Sequence, residues 1–464
     1  MARIHDATQK AVGWRLAVVG LATRLTHGIT EGRAVIDDTA EAALGGLPQG
    51  GMAVEATWPA RQVDWLFIVV YGVAYTGLWM ALLPPILTGL TMRVHELAPA
   101  HATASLSLVV GVGALMALFG NPFFGRLSDR TTSRFGMRRP WLIAGALGGV
   151  VGLAVIATAV SVPQLLLGWC ITQLAYNAEL AALAAIFADQ VPASQRGTVS
   201  GIVGISLPLG MISGTFLMQA LADSTLAMFL VAAVIALISA LILIWLLPDQ
   251  RLAVAQRQRY GWRELLGSYW INPLRFPDFG WAWSSRFLLY AGIAVLMTYQ
   301  GLYLIHQLGC APADVPRRIF LSTLVQSCAV AIFSAVGGGL SDAIGKRKVF
   351  VSGAAVVYAL ALLIVAFAAS YPWFLAGMAI TGAAQGVYLA ADLALVTDVL
   401  PQRETHAAGN LGIFNIANVM PQSLMPAVAP AILLASDGSY AALFVVAAML
   451  VALSAWAILP VRSQ

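Results

Sequence analysis

Two acidic residues stand where the sequence is otherwise apolar. Glu179 lies in the run 164–188, ten residues before Asp189, which is about 15 Å along a helix. Asp392 lies in the run 372–397, six residues before Asp398, or about 9 Å. A carboxyl in such surroundings is costly unless protonated, paired or wetted, so the chemistry it offers is proton uptake and release. Trp169, Thr172, Gln173, Tyr176 and Asn177 share with Glu179 an arc of about 160° of one helix. A second stripe, Tyr299, Gln300, Tyr303, His306 and Gln307, covers about 120°. Gln385 and Tyr388 share a face with Asp392; Asn415, Asn418 and Gln422 share another; Tyr71, Tyr75 and Trp79 share a third. Amides bond hydroxyls and aromatic rings cover C–H surfaces, so these stripes suit a small polar organic solute. The competing account is structural. Thr, Asn and Gln also tie helices together, and tyrosines and His306 also sit at membrane interfaces.

Nothing accompanies these residues that would make or break bonds. Cys170, Cys310 and Cys328 are scattered, odd in number and without metal-ligand spacing. There is no Gly-x-x-x-x-Gly-Lys-Ser/Thr loop to cradle a nucleotide. The sequence therefore predicts no enzyme activity, no cofactor and no metal. The net charge of +5 comes from loops and implies no nucleic-acid partner.

The elements that must position the stripes are membrane helices. The chain is 59% hydrophobic and 10% charged, with mean hydropathy +0.82, whereas a soluble domain carries about 25% charged residues. Twelve apolar runs are each long enough to cross a bilayer as a helix: 65–90, 103–124, 141–160, 164–188, 198–222, 226–247, 284–308, 319–339, 349–369, 372–397, 410–435 and 439–460. Of 26 lysines and arginines, only Arg93, Arg317 and Arg318 fall on one side of that arrangement. The positive-inside rule puts the other side, with both termini, in the cytoplasm, and the protein in a cytoplasmic membrane. Residues 1–60 read as a flexible cytoplasmic tail with a Gly-rich end, Gly45 to Gly51, and Met52 as an alternative start. The division continues as a six-helix bundle over 61–248, a basic cytoplasmic linker over 249–283 and a second bundle over 284–464.

Two loops repeat. Gly125 to Pro140 carries Leu127-Ser128-Asp129-Arg130 and then Arg138-Arg139. Gly338 to Lys348 carries Leu340-Ser341-Asp342 and a second basic cluster, 213 residues on. Asp189-Gln190-Val191-Pro192 is echoed by Asp398-Val399-Leu400-Pro401. Two echoes at similar offset imply two related six-helix halves. The loop pair resembles the signature of the major facilitator superfamily, over Asp64 to Pro460. Its longer form, Ser128-Asp129-Arg130 followed by Arg134 to Trp141, is similar to that of plant sucrose transporters and glycoside–pentoside–hexuronide symporters. So is Asn177 ahead of Asp189 to Pro192. The resemblance implies twelve helices in two pseudo-symmetric bundles, and a proton-coupled carrier of a sugar or glycoside working by alternating access. It departs from the pattern at Met137 and Ala343. Gln173 and Ala184 stand where the sucrose carriers have an acid and an arginine, which puts sucrose itself in question. The span 103–124 holds no acid, which speaks against sodium coupling of the melibiose type.

The residues then take expected roles. Glu179 and Asp392 couple protons. Tyr75, Gln173, Tyr176, Asn177, Tyr299, Gln300, Tyr303, Gln385, Asn415 and Asn418 bind substrate, and Asp129, Arg130, Arg138, Arg139 and Asp342 gate the inner face. The partners expected are a small-molecule substrate, protons and the lipid bilayer, with the monomer as the working unit. The rival readings are proton-driven efflux of drugs or amphipathic metabolites, and a non-transporting sensor or assembly factor on the same fold.

Overall fold

In a computed structural model of the chain, the runs Trp65–Leu97 (α1), Ala102–Asp129 (α2), Arg139–Ala157 (α3), Val162–Gln190 (α4), Arg196–Ala220 (α5) and Thr225–Leu246 (α6) are helical. So are Pro277–His306 (α7), Val315–Ile344 (α8), Arg347–Ala366 (α9), Tyr371–Val399 (α10), Arg403–Ala435 (α11) and Tyr440–Ala457 (α12). The structure describes residues 62–249, 276–344, 347–399 and 403–461. The readings of residues 1–60 and of most of 249–283 lie outside them. Among the described residues there is no strand, and twelve spans are long and apolar enough to cross a membrane. This is a multi-pass membrane protein. The face bearing the Arg-rich loop between α2 and α3 is called here the basic face, and the opposite one the far face.

Several helices outrun the expected apolar limits, because a helix continues into polar residues once its backbone bonds are made. α7 begins at Pro277, whose missing N–H costs nothing at a helix start. α1 runs on past 90 through Pro84 and a turn of π-helix, Pro85–Gly89, to Leu97. The lipid side is apolar, with Phe119, Ile238, Trp245 and Leu434 among the exposed residues. Inside, small residues let backbones approach: a Cβ added at Gly145 of α3 would lie 2.8 Å from the Ala175 carbonyl of α4.

The packing repeats with a shift of six helices. In the first half α1 packs on α5 and α6, α4 on α2 and α3, and α3 on α6. In the second, α7 packs on α11 and α12, α10 on α8 and α9, and α9 on α12. The halves meet through α2 with α11 and α5 with α8, a pair that the same shift interchanges. Further contacts join them toward the far face. The Ser107 and Tyr299 hydroxyls are 2.6 Å apart, as are those of Thr103 and Tyr440. Phe216 meets Phe320 edge-on, and Gly301 of α7 sits against Thr91 of α1.

Candidate functional site

In the first half the site is built on α4. Thr172, Ala175, Tyr176 and Glu179 pack against glycines of α3, and Gln173 and Asn177 point elsewhere. Gln173 and Asn177 are one turn apart. The Asn177 amide donates to the Gln173 carbonyl at 2.8 Å and to its Oε1 at 3.2 Å. Trp169 and Gln173 lie over Gly113 of α2. Glu179 takes another direction, toward α3, with its Cβ over Gly145. It is fully enclosed, and neither carboxyl oxygen meets a hydrogen-bond donor of the protein. Tyr176, over Gly149, and Trp169 likewise keep an unmatched O–H and N–H. A lone carboxylate there would cost several kcal/mol, the neutral acid far less. The 160° arc read from the sequence thus joins two directions: Gln173 and Asn177 lie toward α2, Glu179 and Tyr176 toward α3.

In the second half the acid is paired. Asp392 of α10 accepts from Arg286 of α7 at 2.6 Å, and both side chains are largely buried. The same guanidinium donates through Nε to Asn418 of α11 and lies over the Tyr290 ring at 5.6 Å. Three helices are thus tied through one arginine. The sequence reading missed Arg286 because the expected span began at 284, which left it at the edge of a basic loop. With α7 beginning at Pro277, Arg286 stands nine residues in, about 14 Å along the helix. An arginine that deep is as strong a functional signal as an acid.

The stripe on α7 divides. The Tyr299 hydroxyl bonds Ser107 across the halves, and Gln300 is buried with its Oε1 unmatched. Tyr303 turns into its own half: its hydroxyl donates to the Val365 carbonyl at 2.6 Å and its ring packs between Phe374 and Phe444. Tyr75 packs edge-on against Tyr71, whose hydroxyl donates to the Leu183 carbonyl. Gln385 is half-buried on α10. The side chains of Asn415 and Asp342 lie outside the described residues.

At the basic face, Arg138 gathers the loop. Its guanidinium donates to Asp129 at 2.7 Å, Asp189 at 2.8 Å and Ser128 at 2.8 Å. Burial works against its charge, but Asp189 and Asp129 outweigh that and hold the guanidinium above its ordinary pKa. The backbone N–H groups of Arg138 and Arg139 donate to one oxygen of Asp249, at 2.8 and 2.9 Å. A carboxylate on the open N-terminus of α3 is favoured by roughly 0.3–1 kcal/mol. Gly136, at φ +107°, lets the loop pass beside that carboxylate, where a Cβ would collide at 2.1 Å. Arg139 reaches the Leu247 carbonyl at the end of α6, and Arg130 is half-buried with partners of its own.

A family model described as Major Facilitator Superfamily matches residues 65–326 and again 282–464. The chain belongs to the Major Facilitator Superfamily. It is a membrane transporter of small molecules, not an enzyme. A stretch of 80 residues is 40% identical to the sucrose transport protein SUC4 of Arabidopsis thaliana, covering 17% of this chain and 14% of that protein. The solved nucleoside transporter NupG matches with a TM-score of 0.68 at 15% identity, over 86% of this chain and 99% of its own. A D-xylose-proton symporter matches at 0.65 and 16%, over 86% and 99%. At such identities the structures attest the superfamily fold alone.

Proposed function

We propose that this superfamily member is a proton-coupled secondary transporter of a small polar organic solute, a sugar or glycoside, working as a monomer by alternating access. The observation that carries the reading is Glu179, an enclosed acid with no donor from the protein. Such a group is stable as the neutral acid, and it gains a reason to release its proton only when rearrangement wets it. Asp392, held by Arg286, is the second proton-linked acid. Gln173, Asn177, Gln300 and Gln385 are the groups that would bond hydroxyls.

The sucrose and xylose–proton carriers named above support this substrate class and coupling. The basic face is the cytoplasmic one, by the distribution of Lys and Arg. The contacts between halves then close the outer face, and the basic-face cluster of Arg138, Asp129 and Asp189 belongs to the inner gate, with Asp342 as its counterpart. The test is uptake into proteoliposomes over a panel of mono- and disaccharides, with and without a pH gradient. Accumulation of one of them that collapses with the gradient is expected. Uptake that is indifferent to the gradient would remove the coupling, and no uptake of any sugar would remove the substrate class.

A further inference from the structure

One pair of titratable residues takes no part in the acids or the basic-face loop. His95 of α1 and His306 of α7 face each other at the far face, their ring centroids 5.9 Å apart and their planes at 66°. One belongs to each half. His306 is exposed at the end of α7 and stacks on Tyr440 of α12 at 5.7 Å, with planes parallel to 1°. Tyr440 in turn meets Thr103 of α2. His95 is half-buried, and its Nδ1 meets no hydrogen-bond partner of the protein. These rings lie on the contact surface that closes the far face.

Histidine changes charge between about pH 5 and 8. Two neutral rings in this arrangement attract as aromatics, while two imidazolium ions repel. The surrounding charges offer no evident relief. On α1, Arg93 is bound to Glu96 and to the Ala159 carbonyl. On α2 the nearest titratable group is His101, exposed at the helix start. Asp437, also exposed, lies in the turn before α12. Ahead of and within α8, Asp314 and Arg317 are exposed and Arg318 lies over Tyr371. On α7 itself the nearest in sequence is Tyr303, whose hydroxyl is bonded to the Val365 carbonyl, and then Tyr299, which is bonded to Ser107.

We infer that His95 and His306 form a proton-sensitive latch between the halves, closed while the rings are neutral and driven open when the far side is acid. A solution richer in protons would then present the transporter's far-side opening to itself. This rests on the alternating-access reading of the far-face contacts, but it needs no particular substrate or coupling acid.

The test is a distance measurement, so it is separate from transport. Spin labels are placed at Ala100→Cys and Ala311→Cys, exposed positions on opposite halves, in a chain whose three native cysteines are replaced. Pulsed electron–electron resonance in nanodiscs then reads the separation at pH 7.5 and pH 5.5. A long-distance population that grows on acidification by about three-fold to a hundred-fold is expected, the range between water-like and protein-surface screening at the separation of the rings. His95→Gln with His306→Gln should flatten the response, and His306→Arg should keep the long population low at pH 7.5, where one cation meets a neutral ring, and raise it at pH 5.5, where His95 is charged as well. A wild type that does not respond overturns the latch, and so does a double variant that responds like wild type. A protein that opens with acid yet moves no solute keeps the latch and removes the transport proposal.

Discussion

Glu179 and Asp392 belong to helices that hold equivalent places, α4 in the first half and α10 in the second, yet their surroundings differ in kind. Glu179 has no donor from the protein, and Asp392 has Arg286 with Asn418 behind it. Aligning the two helices by their ends pairs Glu179 with Tyr388 and sets Asp392 one turn nearer the basic face. A fold that repeats its packing has therefore not repeated its electrostatics. An isolated acid is governed by whether water reaches it. A paired acid is governed by whether its partner stays. The first half is thus suited to holding a proton, and the second to holding a shape until the charge pair is disturbed.

The comparison can be broken most forcefully at Arg286. Arg286→Ala leaves Asp392 buried beside an absent partner, and should cost roughly 3–5 kcal/mol, read as a lower midpoint of thermal unfolding in detergent. Arg286→Met together with Asp392→Leu should recover most of that loss. A single variant as stable as wild type would mean that the pair does not hold the second half together.

Glu179→Gln should behave differently. Its midpoint should stay near wild type, since an amide replaces a neutral acid of the same shape. Accumulation of solute against a gradient should fall at least ten-fold, about 1.4 kcal/mol in driving terms, while exchange without a gradient survives. Undiminished accumulation would pass the coupling role to Asp392. The smallest effect is expected at Asp129→Asn. The Asp129 side chain is 60% exposed, so its bond to Arg138 is worth about 0.2–1 kcal/mol. Under the gating reading the variant shifts the protein toward the state open at the basic face and slows transport two- to five-fold. Cysteine accessibility on that face, unchanged by the substitution, would take the gate away from Asp129.

How much of this was legible in the sequence depends on the interaction involved. All twelve helices followed from apolar length, because the bilayer allows few other solutions for the backbone. The two halves followed from the echoed loops, and the shifted packing matches them. Arg138 beside Asp129 was legible as an arginine cluster beside an acid, whereas Asp249 was not, since it caps a helix far from it in sequence. On α4, periodicity placed Glu179 and Gln173 on one arc, but it could not say that small residues of α3 would claim the Glu179 side. On α7, Tyr299 and Tyr303 are equivalent by spacing, and only tertiary packing sends one across the halves and the other to Val365. Arg286 was lost to a boundary placed seven residues late.

The π-turn at Pro85–Gly89 fixes the phase of everything beyond it on α1. A π-turn holds one residue more than an α-turn, so the helix after it is wound about 100° away from where a regular helix would leave it. Thr91 meets Gly301, and His95 meets His306, only in that phase. Removing one residue, such as Thr88, would let the α-helix close up and turn both away from the second half while leaving the membrane-spanning length almost unchanged. The surplus residue thus works as a timing mark. It sets which side of α1 reaches the partner half, and a chain one residue shorter would keep its helices and lose their alignment.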